Sequence, residues 1–228
     1  MEPAVVLRDI PFRPDPAGLI RKLRIPDQPG YIQRFRNLVA EGRAVARPKA
    51  MYRPAYIESR DTDTVVIDGI RMTSRVLRVN LEQAHRVFPY VATCGREMAA
   101  WAEGLSDLLD RFWADAIMEA ALREALRVLE ADIAGRFNPG PTGSMNPGSL
   151  RDWPLEQQRE LFQALGDPMT TIGVELTDSF LMIPIKSVSG LRFPTEIRYE
   201  NCQLCPRDRC PERRAPYDRE LHVRRYGG

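Results

Sequence analysis

The segment Phe180–Gly190, "FLMIPIKSVSG", changes character half-way along its length. Its first half is a short apolar run, which is typical of a β-strand buried in a protein core. Its second half contains Lys186, Ser187, Ser189 and Gly190, and serine and glycine are common turn residues. We therefore predict a buried strand that ends in a polar, serine-rich turn.

Strand signals lie on both sides of a central helical region. Two strands are predicted at Gly173–Leu176 and Ser179–Pro184, next to the opening segment. Earlier in the chain, "TVVIDGIRMTSRVLRVNL" alternates apolar and polar residues and predicts two strands joined at Asp68-Gly69, a pair favoured in tight hairpins. Because these strands are adjacent pairs and do not alternate with single helices, the pattern favours an α+β fold with an antiparallel twisted sheet.

The region from Thr93 to Phe137 has the apolar period of a long helical block. Ser106 is a suitable residue to cap the N-terminus of a helix. The apolar positions that follow form one broad face, and Trp113 on that face is expected to pack in the core. We predict that this block packs on the sheet. Two shorter helices are predicted before it, in "AGLIRKLRI" and "GYIQRFRNLVAEGRAVARP".

Charge and hydropathy exclude two classes of partner. The 33 basic and 31 acidic residues nearly cancel, to a net charge of +2, so binding to nucleic acid through phosphate neutralisation is not expected. No apolar run is long enough for a membrane span, and the N-terminus lacks the pattern of a signal peptide. The expected compartment is the cytoplasm, and the last ten residues read as a solvated basic tail.

Three of the four cysteines are clustered, at Cys202, Cys205 and Cys210, and Cys94 stands alone. Structural disulfides are rare in the cytoplasm, so clustered thiols favour metal binding or redox chemistry. The C-x2-C-x4-C spacing matches neither zinc-finger pairs nor the bacterial ferredoxin run, which leaves the metal open. Cys94 is either the fourth ligand or a packed side chain.

A loop rich in proline and glycine precedes the last predicted helix. Asn-Pro-Gly occurs twice, at Asn138 and at Asn146, and such a stretch is neither helix nor central strand. Arg136 and Trp153 border the loop, and "WPLEQQRELF" has a sharp helix start. These features favour an ordered loop over a flexible linker.

The residues of these two regions together resemble the activation domain of cobalamin-dependent methionine synthase. That family has a Met-x-Pro-x-x-Ser-Val-Ser-Gly pattern after a Leu-Thr-x-Ser segment, and an Arg-x-x-Pro-Gly loop before a Pro-led helix. The resemblance covers Arg136 to Phe193, and the first ninety residues match the family only in general character. The matching residues are Leu176, Thr177, Ser179, Met182, Pro184, Ser187, Val188, Ser189 and Gly190, with Arg136, Pro139 and Gly140 and a second Pro147-Gly148.

The resemblance implies a reactivation role. The chain would bind S-adenosylmethionine and dock on the cobalamin-binding domain of a methyltransferase such as methionine synthase, as an accessory for the reductive methylation of cob(II)alamin. Flavodoxin or ferredoxin would be the electron donor. Whether the chain is itself an enzyme stays open. The implied contacts are Arg136, Pro139, Gly140, Pro147, Gly148, Ser187, Ser189 and Gly190, with Asp9 as the N-terminal acidic contact.

Two departures from the family pattern leave alternatives open. Because Asn-Pro-Gly is doubled, either Arg136 or the region of Ser144 occupies the position of the family arginine, and Ser149 stands where the family has tyrosine. The guanidinium of Arg136 suits bidentate recognition of a carboxylate. The alternative function is an iron-sulfur redox or corrinoid-binding protein that uses the fold without a methyl donor.

The cysteines complete the prediction. Some short free-standing versions of the family that the chain resembles carry a similar C-terminal cluster, so we expect residues 1–200 to form the activation-like domain and residues 201–228 a Cys-rich segment. Reduction of cob(II)alamin needs an electron of low potential, and thiolate ligation suits a 4Fe-4S cluster on Cys202, Cys205, Cys210 and Cys94. Zinc is the competing metal.

Overall fold

Eight strands pair into one antiparallel sheet in the computed structural model, which describes residues 2–196, 200–207, 209–210 and 213–226. Two further strands form a separate hairpin. The strands are β1 Val5–Leu7, β2 Lys49–Tyr52, β3 Ala55–Arg60, β4 Thr64–Ile67, β5 Ile70–Thr73, β6 Arg86–Thr93, β7 Thr142–Met145, β8 Glu175–Leu176, β9 Met182–Ile183 and β10 Ser187–Pro194.

The helices confirm the predicted helical block. They are α1 Pro16–Leu23, α2 Pro29–Val45, α3 Arg75–Asn80, α4 Arg96–Glu103, α5 Leu108–Phe137, α6 Gln158–Leu165, α7 Pro168–Ile172 and α8 Arg219–Leu221. A π-helical turn, His222–Tyr226, follows α8, and short 3-10 turns lie at Leu155–Gln157 and Asn201–Gln203. None of the helices in the described part of the chain has the length and apolarity that crossing a membrane requires.

Strand β6 lies at the centre of the sheet. On one side it pairs with β10, from Thr93 opposite Ser187 to Phe88 opposite Arg192. On its other side it pairs with β2 and then β3. Strand β7 pairs with the outer edge of β10. The sheet is antiparallel throughout these pairings, so the predicted α+β fold with an antiparallel sheet is confirmed.

The two faces of β6 pack against different layers, because side chains alternate along a strand. Phe88 and Tyr90 pack with residues of α5 such as Leu129. Val87 and Val91 pack in the opposite layer, with α6 and the loop before it. The long helix therefore covers one face of the sheet, and the loop–helix region of the sequence signature covers the other.

Helix α5 begins one residue later than predicted. The carboxylate of Asp107 accepts hydrogen bonds from the backbone N–H groups of Leu109 at 2.8 Å and Asp110 at 3.2 Å. Asp107 is thus the N-cap in place of Ser106, since its side chain satisfies two free donors of the first turn. The core position of Trp113 is confirmed, with 3% of the residue exposed.

The predicted hairpin at Asp68-Gly69 is confirmed as the turn between β4 and β5, and both residues have positive φ. The second predicted strand is too long, because the chain turns into α3 after Thr73. Ser74 caps that helix by accepting a hydrogen bond from the N–H of Leu77 at 2.9 Å. This local cap overrides the alternating pattern that continues beyond it.

The prediction of a buried strand followed by a serine-rich turn in Phe180–Gly190 is wrong, because the first half is exposed and the second half is the strand of the main sheet. The apolar half forms the exposed end of the β8–β9 hairpin, where Leu181 is 59% and Ile185 86% exposed. The serine half belongs to β10, inside the main sheet. Two serines fit there because their hydroxyls have partners: Ser187 donates to Thr93 at 2.9 Å and Ser189 donates to Gln158 at 2.8 Å.

The C-terminal segment is attached to the core at Tyr226, which corrects the prediction of a solvated tail at that residue. Other residues of the predicted tail, such as Val223 and Arg224, are exposed. The ring of Tyr226 is buried, and its hydroxyl donates to Asn80 Oδ1 at 2.8 Å. Arg75 Nε donates to the carbonyl oxygen of Tyr226 at 2.6 Å. Leu204 also packs in the core layer that contains Val91. The boundary predicted at residue 200 stays a prediction.

Candidate functional site

The two halves of the sequence signature meet at one cavity of about 390 Å³, which we call the signature pocket. The loop before α6 forms one wall, and β10 with the β8–β9 hairpin forms the other. No charged side chain is part of this lining. The lining residues are Asn146, Pro147, Ser149, Leu155, Gln158, Phe180, Leu181, Met182, Ile185, Val188 and Ser189.

Asn146 joins the two walls of the signature pocket. Its side-chain amide donates to the carbonyl oxygen of Ser189 at 2.7 Å and to the hydroxyl of Tyr90 at 2.9 Å. The same hydroxyl lies 3.0 Å from the hydroxyl of Ser144. These contacts orient the Asn-Pro-Gly turn on β10, because each partner belongs to a strand of the main sheet.

Gln158 makes a second connection and is almost completely buried. Its Oε1 accepts a hydrogen bond from the hydroxyl of Ser189 at 2.8 Å, and its Nε2 donates to the carbonyl oxygen of Phe180 at 2.7 Å. The side chain therefore links α6 to β10 and to the hairpin. A satisfied buried polar network of this kind stabilises a single arrangement of the wall.

Gly190 is required by the close contact between β10 and the loop. A Cβ atom at this position would lie 2.5 Å from Nδ2 of Asn146, 2.6 Å from the carbonyl oxygen of Met145 and 2.8 Å from the hydroxyl of Tyr90. These distances are too short for any non-bonded contact. The glycine of the Ser-x-Ser-Gly pattern is therefore explained by packing at the site.

The second Pro-Gly unit forms a tight turn at the mouth of the pocket. Gly148 has φ of +80°, a conformation that favours glycine, and its N–H donates to the carbonyl oxygen of Trp153 at 2.8 Å. The N–H of Ser149 donates to the carbonyl oxygen of Asn146 at 3.1 Å. The side of the turn formed by Gly148 and Ser149 is exposed.

A second cavity, of about 600 Å³, lies on the other side of this turn, and we call it the C-terminal cavity. Ser149 lines both cavities, and Gly148 lines this one. In contrast to the signature pocket, this cavity is lined by charged groups as well as apolar ones. Its other lining residues are Val76, Leu150, Arg151, Asp152, Leu204, Cys205, Pro206, Arg207 and Tyr217.

The carboxylate of Asp152 is held in place at the wall of the C-terminal cavity. It accepts a hydrogen bond from the backbone N–H of Val76 at 2.9 Å and another from the hydroxyl of Ser74. Arg151 and Arg207 are exposed residues on the same lining. The two cavities together therefore offer an apolar compartment beside one with both signs of charge.

The first Pro-Gly unit lies away from both cavities. Pro139 and Gly140 connect α5 to β7, and β7 separates them from the second unit at its other end. Arg136 Nε donates to Asp132 at 2.8 Å, and this contact raises the pKa of the guanidinium above its usual value. The structure thus brings Pro147 and Ser189 together in the signature pocket and places Gly148 beside them on the C-terminal cavity. It does not bring Arg136, Pro139 or Gly140 to either cavity. The hydroxyl of Ser187 is bonded to Thr93, beyond the lining.

Cys94 is packed in the core and is not brought to the other cysteines. It is fully buried in a cluster with Phe35 and Trp113, on the helix-covered face of the sheet. Leu204, between Cys202 and Cys205, packs in the layer on the opposite face. Burial raises the pKa of the Cys94 thiol to about 12. Its position corresponds to the packed side chain that the sequence left as an alternative.

The guanidinium of Arg213 contacts the backbone of the C-terminal cysteine segment. It donates to the carbonyl oxygens of Cys202 at 3.0 Å and Cys205 at 3.3 Å. Burial alone would raise the pKa of the Cys202 thiol, but the N–H groups of Arg214 and Ala215 directed at the sulfur lower it overall. Within the ranges that the structure describes, no three cysteine, histidine or acidic side chains are arranged to hold a metal ion.

Comparison with known proteins supports the fold. No family model matches the chain, and no curated protein matches it. Among solved structures, the chain is similar to the crystal structure of the MetH reactivation domain bound to AdoHcy, with a TM-score of 0.57 and 12% sequence identity. The similarity covers 87% of this chain and 81% of that one. The chain therefore has the fold of this reactivation domain, which confirms the fold expected from the resemblance.

Sequence reasoning missed the side chains that hold the site together. Asn146, Gln158 and Tyr90 are central to the network, and Asn201 extends it by donating to Asn146 Oδ1 at 3.4 Å. Asn146 had a signal, since it precedes the second Pro-Gly unit. Gln158 and Tyr90 carry no local signal, because their partners lie 22 to 56 residues away in the chain.

Proposed function

We propose that this chain binds S-adenosylmethionine at the Gly148-Ser149 turn and serves as a reactivation partner of a cobalamin-dependent methyltransferase. The observation that carries the proposal is the meeting of Asn146, Pro147 and Ser149 with Ser189 in one pocket. The similar MetH reactivation domain was solved with AdoHcy, the demethylated form of this ligand. Its fold matches this chain over most of both lengths.

The two cavities suit the two parts of the ligand. The neutral signature pocket would receive the adenosine, whose ring and ribose need apolar contacts and a few neutral hydrogen bonds. The C-terminal cavity would receive the amino-acid end, with Arg151 or Arg207 for the carboxylate and Asp152 for the ammonium group. The exposed side of Gly148 allows close passage between them, because no side chain projects from this residue.

In this role the chain positions the methyl group for a partner. An electron from a donor such as flavodoxin or ferredoxin would reduce the partner's corrinoid, and the methyl group would pass from the sulfonium to the corrinoid. The C–S bond breaks and S-adenosylhomocysteine remains. The residues of this chain would bind and orient the ligand, and the cobalamin-binding domain of the partner would supply the corrinoid.

Calorimetric titration with S-adenosylmethionine tests the binding step. Ile185 lines the signature pocket and is 86% exposed, so Ile185→Trp should obstruct the mouth and weaken binding at least about tenfold without a change in folding. Leu108→Trp is the matched control, since Leu108 is 80% exposed at the start of α5. Absence of binding by the folded native chain at millimolar ligand would overturn the proposal.

The 4Fe-4S cluster stays a prediction. Cys205 lines the C-terminal cavity, so a cluster on Cys202, Cys205 and Cys210 would lie next to the proposed ligand. The described residues give the cluster no further support, because no three cysteine, histidine or acidic side chains among them are arranged to hold a metal ion. The carbonyl groups of this loop are instead bonded to Arg213. Iron and sulfide analysis of anaerobically purified protein decides between the cluster, a zinc ion and free thiols. Iron and sulfide without S-adenosylmethionine binding would favour the alternative redox or corrinoid-binding function.

A further inference from the structure

A third cavity, of about 390 Å³, lies between the β1–α1 connection and the C-terminal end of α2. Four of its lining residues are arginines, and Asp9 is the one acidic residue among them. The whole chain has a net charge of only +2, so this small region concentrates positive charge. The lining residues are Arg8, Asp9, Ile10, Pro11, Phe12, Arg13, Arg43, Ala46 and Arg47.

The four guanidinium groups are not neutralised by neighbours. In the part of the chain that the structure describes, none of them forms an ion pair with a carboxylate. Arg8 donates to the carbonyl oxygen of Thr171 at 3.2 Å, and Arg47 donates to those of Ala44 at 3.2 Å and Ala46 at 2.7 Å. These contacts orient two of the arginines through neutral acceptors, so their positive charge stays available.

The floor of this cavity is apolar and fixed. Phe12, Ile10 and Ala46 are each less than a tenth exposed. Phe12 belongs to the core cluster under α2, and Ile10 belongs to the cluster under α5. A ligand would therefore meet a rigid apolar base with cationic groups around its rim, which is a common composition of small-molecule sites.

We propose that this cavity binds a small phosphorylated molecule with at least two anionic groups. Several guanidinium groups around one cavity suit a ligand with more than one phosphate, because each arginine can form paired hydrogen bonds to phosphate oxygens. The site is separate from the signature pocket and shares no lining residue with it. Asp9 lies on this lining and not on the lining of either cavity of the proposed S-adenosylmethionine site.

Titration with sodium pyrophosphate in a buffer of about 50 mM salt tests this site, since low salt limits the screening of exposed charges. We expect one binding site per chain, at least about tenfold weaker in Arg13→Gln/Arg43→Gln. The matched control is Arg36→Gln/Arg219→Gln, which removes two exposed arginines outside this cavity and changes the net charge equally. Thermal unfolding establishes that both double variants are folded. If Arg13→Gln/Arg43→Gln is not folded, the single variant Arg13→Gln takes its place.

Two outcomes would overturn the proposal: pyrophosphate fails to bind the native chain, or the control variant weakens binding as much as the test variant. In the first case, binding of polyglutamate at the arginines would indicate an acidic protein surface as the partner. Neither outcome affects the S-adenosylmethionine titration, because the two sites are tested with different ligands.

Discussion

Asn146 donates a hydrogen bond of 2.7 Å to the carbonyl oxygen of Ser189, across 43 residues of chain. One residue belongs to the Asn-Pro-Gly turn and the other to β10, so this bond joins the two halves of the signature in space. Gly190 permits the bond, because a side chain there would collide with the same amide. The predictions below begin from this contact.

Gly190→Ala should lower the free energy of unfolding by about 1–3 kcal/mol, because the added Cβ overpacks the contact with Asn146. Gly135→Ala is the control, since a Cβ at that position of α5 meets nothing within 4 Å. Alanine should raise helix stability there by about 0.5–1 kcal/mol. Urea unfolding of both variants measures the difference. Equal effects of the two substitutions would contradict the proposed packing.

Tyr226→Phe should cost about 1–3 kcal/mol of stability, because the buried Oδ1 of Asn80 loses the hydroxyl that donates to it. Tyr217 is 46% exposed, so Tyr217→Phe should change stability by less than about 0.5 kcal/mol. Thermal unfolding compares the two variants. A neutral Tyr226→Phe would show that this hydrogen bond does not contribute to stability in solution.

In metal-free protein, Cys202 should be alkylated by iodoacetamide much faster than Cys94 at neutral pH. The pKa of Cys202 is lowered, so its reactive thiolate persists as the pH falls below the ordinary thiol range. The pKa of Cys94 is about 12 and its side chain is buried, so almost none of it is ionised. Mass spectrometry at pH 6, 7 and 8 measures both rates. Equal rates at the two positions would refute the assignment.

Arg136→Gln should leave the affinity for S-adenosylmethionine within about twofold of the native chain, because Arg136 is paired with Asp132 and lies at the other end of β7. Arg151→Gln should weaken it more, since Arg151 lines the C-terminal cavity. Titration of both variants gives the comparison. The opposite ranking would assign the carboxylate contact to Arg136, as the family resemblance first suggested.

Regular periodicity was the reliable guide to the fold. Helix α5 and the β4–β5 hairpin follow directly from residue spacing, which depends on local sequence. The strand at Ser187–Pro194 could not be recognised in this way, because its serines resemble a turn until Thr93 and Gln158 are seen to bond them. Burial of these hydroxyls is a tertiary property, and local propensity does not contain it.

The site was predicted in part for the same reason. The local signature contains Pro147 and Ser189, which line the candidate pocket, and their role in ligand binding stays a prediction. Arg136 was placed with them because the Asn-Pro-Gly unit is doubled, and only the position of β7 between the two copies separates them. The two Asn-Pro-Gly copies are alike in sequence and differ only in their position in the folded chain, which local sequence does not reveal.

The central position of β6 has a consequence for how the chain folds. One of its edges pairs with β10, whose residues lie about a hundred positions later in the chain. During synthesis that edge stays unpaired until more than four fifths of the sequence have been made, and unpaired strand edges promote association between chains. Expression at reduced temperature or with chaperones should therefore increase the yield of monomeric protein. Chains truncated before Ser187 should aggregate.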